Sequence, residues 1–493
     1  MSTVERNILT IIEPTIELDE LSVPDAESGT ENSDNTNSTD QIKVSKLSSV
    51  LPLVRINQYE IQGDRLESFK LKNSGFYPTC RIVFSDTDGM FLARFFPKDG
   101  DLIQVNIRSQ GEETTFKPIR IDFTVTSITP SGGGFSSAPR FIVEGRMNVP
   151  NLFTETCSAY KDTSFNTLLT VAEELKLGYA SNVEETNDEM IWLNPTDTVD
   201  KFIQDTVSNS YLDDESFFTA YIDPYYYLTF VDVNKFFGQD GEVDLSKTFY
   251  SNSPDTYGRD GAPSESDEYP NFLSNKVDMQ GTARGIFKYH MVNESGNVSK
   301  NNGYKRYAQY WNLLDNEFIS EFVDPLITDS PGTIPATKGR IIEGEENSPR
   351  DQQVRYKYLG TQSENVHEEY MYSVILNYQN LIEVTKLGMV VELETVNPAL
   401  VRYSRVYCLI VETAEPVKET LLSPSEDENG DNPNQQERNL DADIPDDSQN
   451  ENGVVNEFLS GFYVISGMEY TFAQPGPLRM KLFLQRREFT PST

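Results

Sequence analysis

The sequence predicts an α+β protein that is mainly β: two tube-like antiparallel β-barrel domains from an internal duplication, with an inserted helix-helix-hairpin module. Three observations predict it. Residues 47–150 and 351–490 carry short runs of branched and aromatic residues separated by Gly, Pro and Asp turns, which is the pattern of a barrel or sandwich. Between them, 164–233 switches to helical spacing and then back to strand spacing. Finally, segments of the two β regions follow one another in the same order.

The central stretch is the clearest. Phe165, Leu168, Leu169, Ala172 and Leu175 recur at helical spacing, with Ser164 as the expected N-cap and Gly178 as the stop. A second helix is expected from near Thr198, with Val199, Phe202, Ile203, Thr206 and Val207 on one face. Strands 217–222 and 226–233 follow, joined by an Asp223-Pro224 turn.

In the first β region the candidate strands are 51–61, 81–84, 102–107, 121–128 and 140–147, with turns at Asp99-Gly100 and 131–134. Alternation is plainest in the third. There Ile103, Val105 and Ile107 face one way, and Leu102, Gln104, Asn106 and Arg108 the other. Residues 241–350 read as an elaborated connection. Its Ser-, Asp-, Gly- and Pro-rich stretches flank candidate strands at 285–292 and 304–311 and an ambiguous 318–327. In the last region, Val366, Tyr370 and Val374 are four apart, which suggests a short helix over 365–378. Strands are expected at 381–385 and 389–395 around a Leu387-Gly388 turn, then at 402–413, 461–471 and 478–489. The arm 1–46 holds one short strand within 8–18 and a polar tract that cannot bury enough apolar surface to order itself. The acidic, Asn-rich insertion 424–452 reads the same way.

The repeat rests on three matches. DFTVTSIT at 122–129 aligns with GFYVISGM at 461–468, RFIVEGRM from Arg140 parallels RMKLFLQR from Arg479, and KDGDLIQVNI from Lys98 parallels KLGMVVELET from Lys386. The competing reading is two unrelated β domains. If the copies are equivalent, Val391 and Leu393 pack inward as Val105 does. Glu392 and Glu394 then share with Gln104 and Asn106 a face toward solvent or a channel.

Charge narrows the function classes. With 78 acidic against 41 basic residues, net −37, the surface would repel phosphates, which argues against a nucleic-acid-binding face and against anionic membranes. The acidity suits a surface that must not hold DNA, and it equally suits plain solubility. Cys80, Cys157 and Cys408 lie far apart with no CxxC or Cys/His cluster, so buried thiols are expected rather than a zinc site or disulfide framework. No 18-residue apolar run and no basic-then-apolar leader occur. His367-Glu368-Glu369 lacks the second His of a metalloprotease helix, and a surface histidine is expected there. Asp86, Asp88 and Gly89 begin like a calcium loop without its closing Glu, so a turn is expected. Tyr225, Tyr226 and Tyr227 are expected to pack rather than bind a ligand. No GxSxG, Walker A or GxGxxG pattern is present, and nothing requires an enzyme or a cofactor.

The order of a β region, SFNTLLTVAEELKL, MIWLNPTDTVDKFIQDTV, FFTAYIDPYYYLTFVDV and a second β region ending YVISGMEYTFAQPGPLRMKLFLQRRE resembles the baseplate hub of T4-like contractile-tailed phages. It is also similar to late-control tail proteins and to the hub half of type VI secretion spikes. The resemblance covers 47–240 and 350–490, while 241–350 and the acidic insertion depart from a minimal hub. It implies a non-enzymatic homotrimer whose paired barrels form a pseudo-six-fold ring between a six-fold tail tube and a three-fold spike. The implied partners are the central spike protein, a tail tube or tube-initiator protein and surrounding baseplate wedge proteins. DNA would be met only in transit, without membrane insertion or cofactors. The implied place is the virion tail baseplate, after synthesis in the host cytoplasm. On that reading Gln104, Asn106, Arg108, Glu392 and Glu394 would line the ring or its interfaces. A hub of a related secretion or injection machine would share the fold. A carbohydrate- or peptidoglycan-cleaving tail protein would need a catalytic carboxylate pair or metal cluster that no segment here displays.

Overall fold

The computed structural model describes residues 8–16, 18, 52–98, 100–107, 118–132, 138–237, 272–275, 284–294, 305–323, 334–335, 354–397, 400–412, 454–456, 458–486 and 488–489. The acidic insertion 424–452 and Arg108 lie outside them. In chain order the N-terminal strand is β1 (Leu9–Ile12), and the first β region holds β2 (Leu53–Ile56), β3 (Tyr59–Ile61), β4 (Leu66–Asn73), β5 (Thr79–Ser85), β6 (Leu102–Ile107), β7 (Ile119–Ser131) and β8 (Arg140–Met147). These seven run β4-β5-β8-β7-β6-β2-β3, antiparallel throughout. Strand β4 had no counterpart in the sequence reading.

Phenylalanines fill the curl of this sheet. Phe91 stands edge-on to Phe84 at 4.8 Å and to Phe141 at 5.0 Å. It is held there by a single π-helical turn, Phe91–Phe95, whose first amides donate to the buried carboxylate of Asp86: Phe91 N at 3.3 Å and Leu92 N at 3.0 Å. Asp88 accepts from Met90 N and pairs with Arg65, and Gly89 takes φ +66°. The calcium-like triplet is thus a turn that caps a helix with carboxylates, which suits the positive end of its backbone dipoles.

The module follows as β9 (Ser158–Asp162), α1 (Ser164–Glu174), β10 (Gly178–Ser181), β11 (Met190–Asn194), α2 (Val199–Ser208), β12 (Phe218–Ile222) and β13 (Tyr227–Asp232). Both helices and the hairpin match the sequence expectation. The cap does not: Thr163, not Ser164, accepts from Asn166 N, while Ser164 is buried and tied to Thr186 and Asp188. The sheet order β1-β10-β13-β12 adds the N-terminal strand to the module, with Tyr227 hydrogen-bonding Glu13 across the join. Gly178 is required by close approach, since a Cβ there would lie 2.5 Å from the Tyr227 ring.

The rest of the chain holds β14 (Phe272–Ser274), β15 (Ile286–Asn293), β16 (Lys305–Asn312), β17 (Glu317–Val323), β18 (Ile334–Pro335), β19 (Val354–Gln362), α3 (Tyr370–Thr385), β20 (Leu387–Leu393), β21 (Arg405–Leu409), β22 (Val411–Glu412), β23 (Val454–Val455), β24 (Gly461–Ala473), β25 (Arg479–Gln485) and β26 (Glu488–Phe489). Two expectations fail here. Residues 381–385 are the end of α3 rather than a strand, and Leu387-Gly388 lies inside β20 rather than in a turn. The aromatic and branched residues of 370–385 fit either state, and burial of Ile375 and Leu376 against a sheet decides for helix.

β24 belongs to both halves. Its start pairs with β21 and its end with β4, while β25 runs along its other edge. The two β regions therefore share one thirteen-stranded sheet. In the second half the strands run β15-β20-β25-β24-β21-β14, and Ser274 of β14 bridges Gly285 beside β15, returning the path to its beginning.

One pairing of the repeat inferred from sequence recurs in both halves, since β7 pairs with β8 and their supposed counterparts β24 and β25 pair with each other, both antiparallel, but the third match does not. β6 pairs with β7, yet β20, its supposed equivalent, pairs with β25 and not with β24. The first strand of the two sets thus has a different neighbour, because a period-two pattern specifies which face is buried and not which strand lies alongside.

A smaller sheet, β17-β16-β19, packs one face on α3 through Ala308, Val323, Ile375 and Leu376. Its register sets three cross-strand rows on the other face: Phe322-Tyr307-Tyr356, Ser320-Gln309-Tyr358 and Phe318-Trp311-Thr361. A bulge at Gly360, with φ +123°, brings Thr361 into the third row. Among the described residues no helix is long and apolar enough to cross a membrane.

Candidate functional site: the junction and the predicted lining strands

The two halves and the module meet at Arg402. Its Nε donates to Ser466 O at 2.6 Å in β24, and its two terminal nitrogens donate to Gly75 O at 2.5 Å and Ser74 O at 3.2 Å in the turn after β4. The guanidinium lies 4.5 Å over the Tyr221 ring of β12, and the Tyr221 hydroxyl returns a bond to Arg402 O at 3.0 Å. One side chain thus joins three parts of the chain, using the fixed fork of donors that only arginine supplies. The neighbouring Tyr403, at φ +60°, is buried against Tyr221. Nearby, Ile222 N donates to Phe76 O, and the Tyr226 hydroxyl accepts from Asp122 N at 2.9 Å. The Tyr225 to Tyr227 triplet is accordingly packing, as expected.

α3 is tied to the module at the C-terminus of α2, where the last carbonyls of a helix need outside donors. Asn377 Nδ2 donates to Ser208 O at 3.0 Å and Ser210 O at 2.9 Å, while its Oδ1 accepts from Phe218 N. Ser373 and His367 Nε2 both bond Asn209 O. His367 is buried between Tyr211, Tyr370 and Trp192. That corrects the expectation of a surface histidine. Burial pushes its pKa below the ordinary value, so the neutral ring donating through Nε2 is the favoured form. The sequence carried no signal for this, since the partners lie about 160 residues away.

Cys80 and Cys408 are buried, and burial pushes both thiols up. Cys157 is exposed, contrary to expectation. Among the described residues no group of three or more His, Cys, Asp and Glu could hold a metal ion.

The proposed lining residues separate. Ile103, Val105 and Ile107 are buried as the alternation requires, but Gln104 and Asn106 are buried too, at 8% and 2% exposure. They do not face solvent in the single chain. The module's hairpin comes down beside them, since Tyr226 bonds Asp122 and Asp122 is the β7 partner of Gln104. A strand that reads as half-solvated is thus buried on both faces. Glu392 and Glu394 are half-buried. Glu392 meets Arg479 at 3.0 Å, and Arg479 also covers the Phe287 ring. A pair this open to solvent contributes little, so Glu392→Gln should change unfolding free energy by no more than about 0.5 kcal/mol in denaturant titrations.

Asp232 ends β13 in a buried position, where its carboxylate accepts from Phe217 N at 3.2 Å and Asn234 N at 3.0 Å. Burial outweighs these bonds and pushes its pKa up to about 6 from 3.8. The folded chain then holds this proton to higher pH than the unfolded chain does. This carboxylate's contribution is least unfavourable below about pH 4, and stability is lost as pH rises through 6, by about 3 kcal/mol. Asp232→Asn keeps an acceptor and removes the titration. It should match wild type near pH 4 and melt higher at pH 7.5, and equal melting temperatures at both would contradict the assignment.

No protein-family model matches the sequence, and no curated protein does. Among solved structures, the chain is similar to a tail protein from Neisseria meningitidis MC58, with TM-score 0.46 and 9% identity over 89% of this chain and 97% of that one. It is similar also to the 43 kDa tail protein of prophage MuSo2 from Shewanella oneidensis, with TM-score 0.44 and 8% identity over 90% of this chain and 100% of that one. A third is the E. coli c3393 protein, a type VI secretion component described as structurally similar to T4 bacteriophage tail proteins gp27 and gp5. There the TM-score is 0.38 and the identity 7%, over 89% of this chain and 77% of that one.

Proposed function

We propose that this chain is a structural baseplate hub of a contractile phage tail, a trimeric ring that adapts the six-fold tail tube to the three-fold central spike and lets DNA pass. The observation that carries the reading is the shared sheet. Two curled β halves flank the helix-helix-hairpin module in the order the resemblance implies, and β24 with Arg402 makes them one unit. Three such chains would set six β units around an axis, in a closed heterologous ring. The partners are the spike protein on one side, a tube or tube-initiator protein on the other, and wedge proteins around the rim. The net charge of −37 keeps DNA from binding as it slides.

Light scattering on the purified protein, with negative-stain images of the same sample, tests this. The expected result is a mass of three chains and a ring with six lobes. A monomer at every concentration, alone and with spike protein, would overturn it.

A further inference from the structure

We propose that the outer face of the β17-β16-β19 sheet is where a second copy of this chain docks, a proposal that rests on the trimeric reading above. The sheet's inner face is covered by α3. Its outer face is not: Phe318 is 52% exposed, Tyr356 60% and Tyr358 61%, with Phe322 and Trp311 exposed beside them. The rings form a continuous surface rather than scattered tips. Tyr307 stacks on Tyr356 at 5.1 Å and leans on Phe322 at 5.4 Å. Between the two aromatic rows lies a polar one, where Gln309 and Ser320 are bonded to each other at 3.4 Å.

None of the side chains in these rows is charged, in a sequence that is 24% charged with net −37. That contrast names the occupant. Two copies of so acidic a chain repel wherever charged faces approach, and a neutral aromatic face is where they can meet at least electrostatic cost. Enrichment in Tyr, Trp and Phe with depletion of charge is also the composition of interface cores. Three strands about 4.8 Å apart and rows about 6.6 Å apart give a face of about 300 Å². Leu313 and Leu314, in the β16–β17 turn that follows the Trp311 row, are exposed as well. That is the core, not the whole, of an interface burying about 800 Å² per partner, so a polar rim must complete it.

Two measurements test the proposal. Tyr358→Glu puts a charge in the middle of the face at a position exposed enough to tolerate it in the folded chain. It should leave circular dichroism unchanged, match the wild-type melting temperature at concentrations where both are monomeric, and weaken self-association by about 100-fold or more. Independently, Trp192→Phe leaves Trp311 as the only tryptophan. Its acrylamide quenching should fall over the concentration range in which the mass rises to that of the oligomer. If Tyr358→Glu remains trimeric, and Trp311 stays equally quenchable in monomer and trimer, the docking face lies elsewhere and the trimeric reading stands. If Trp311 is shielded only on adding spike protein, the occupant is the spike and the proposal is wrong. A wild type that stays monomeric under all conditions overturns both.

Discussion

Val105→Asp is expected to cost about 4 kcal/mol or more of folding free energy, a large share of what a chain of this kind possesses. Val105 is 1% exposed, in the middle of β6, with Val54 and Ile121 as cross-strand neighbours on either side. A carboxylate there finds no cation among these neighbours, and it either enters hydrocarbon charged or takes up a proton at neutral pH. Val105→Ala in the same strand removes only apolar volume and should cost about 2 kcal/mol. Denaturant unfolding of the two variants separates the terms. Equal losses would mean that site is wetter than its burial indicates.

Arg402→Met should cost about 2 to 4 kcal/mol, although it conserves side-chain length and apolar bulk. The loss is of donors: Ser466, Gly75 and Ser74 would each keep a carbonyl at the junction without its partner. Arg402→Lys should recover little, because a single ammonium cannot reach three divergent carbonyls and stack on Tyr221 together. The change should also loosen the contact between halves and module. Hydrogen exchange at the Ile222 amide, which donates to Phe76 O, should speed up relative to amides within α1. Unchanged protection at Ile222 would show that the junction holds without the guanidinium.

Much of the architecture could be read from the chain alone, and the reason is local. The helices 164–174 and 199–208, the hairpin around Asp223-Pro224 and strands such as Leu102–Ile107 are specified by periodicity, caps and turns that neighbouring residues carry. The inward set Ile103, Val105 and Ile107 follows from alternation in the same way. The mainly β class and the insertion of an α+β module between β regions follow from those elements in series.

What only the tertiary structure decided is neighbourhood. Which strand lies beside which separated β20 from its supposed counterpart β6, and the closeness of the module's hairpin buried Gln104 and Asn106 where alternation alone left them open. His367 changed from a surface residue to a buried cap on α2, and Arg402 from an unremarked arginine to the bond between three parts of the chain. The 370–385 segment became helix because a sheet was there to receive Ile375 and Leu376. In each case the partners lie tens to hundreds of residues away. Periodicity records which side of an element avoids water, and it holds no record of which distant element will do the covering.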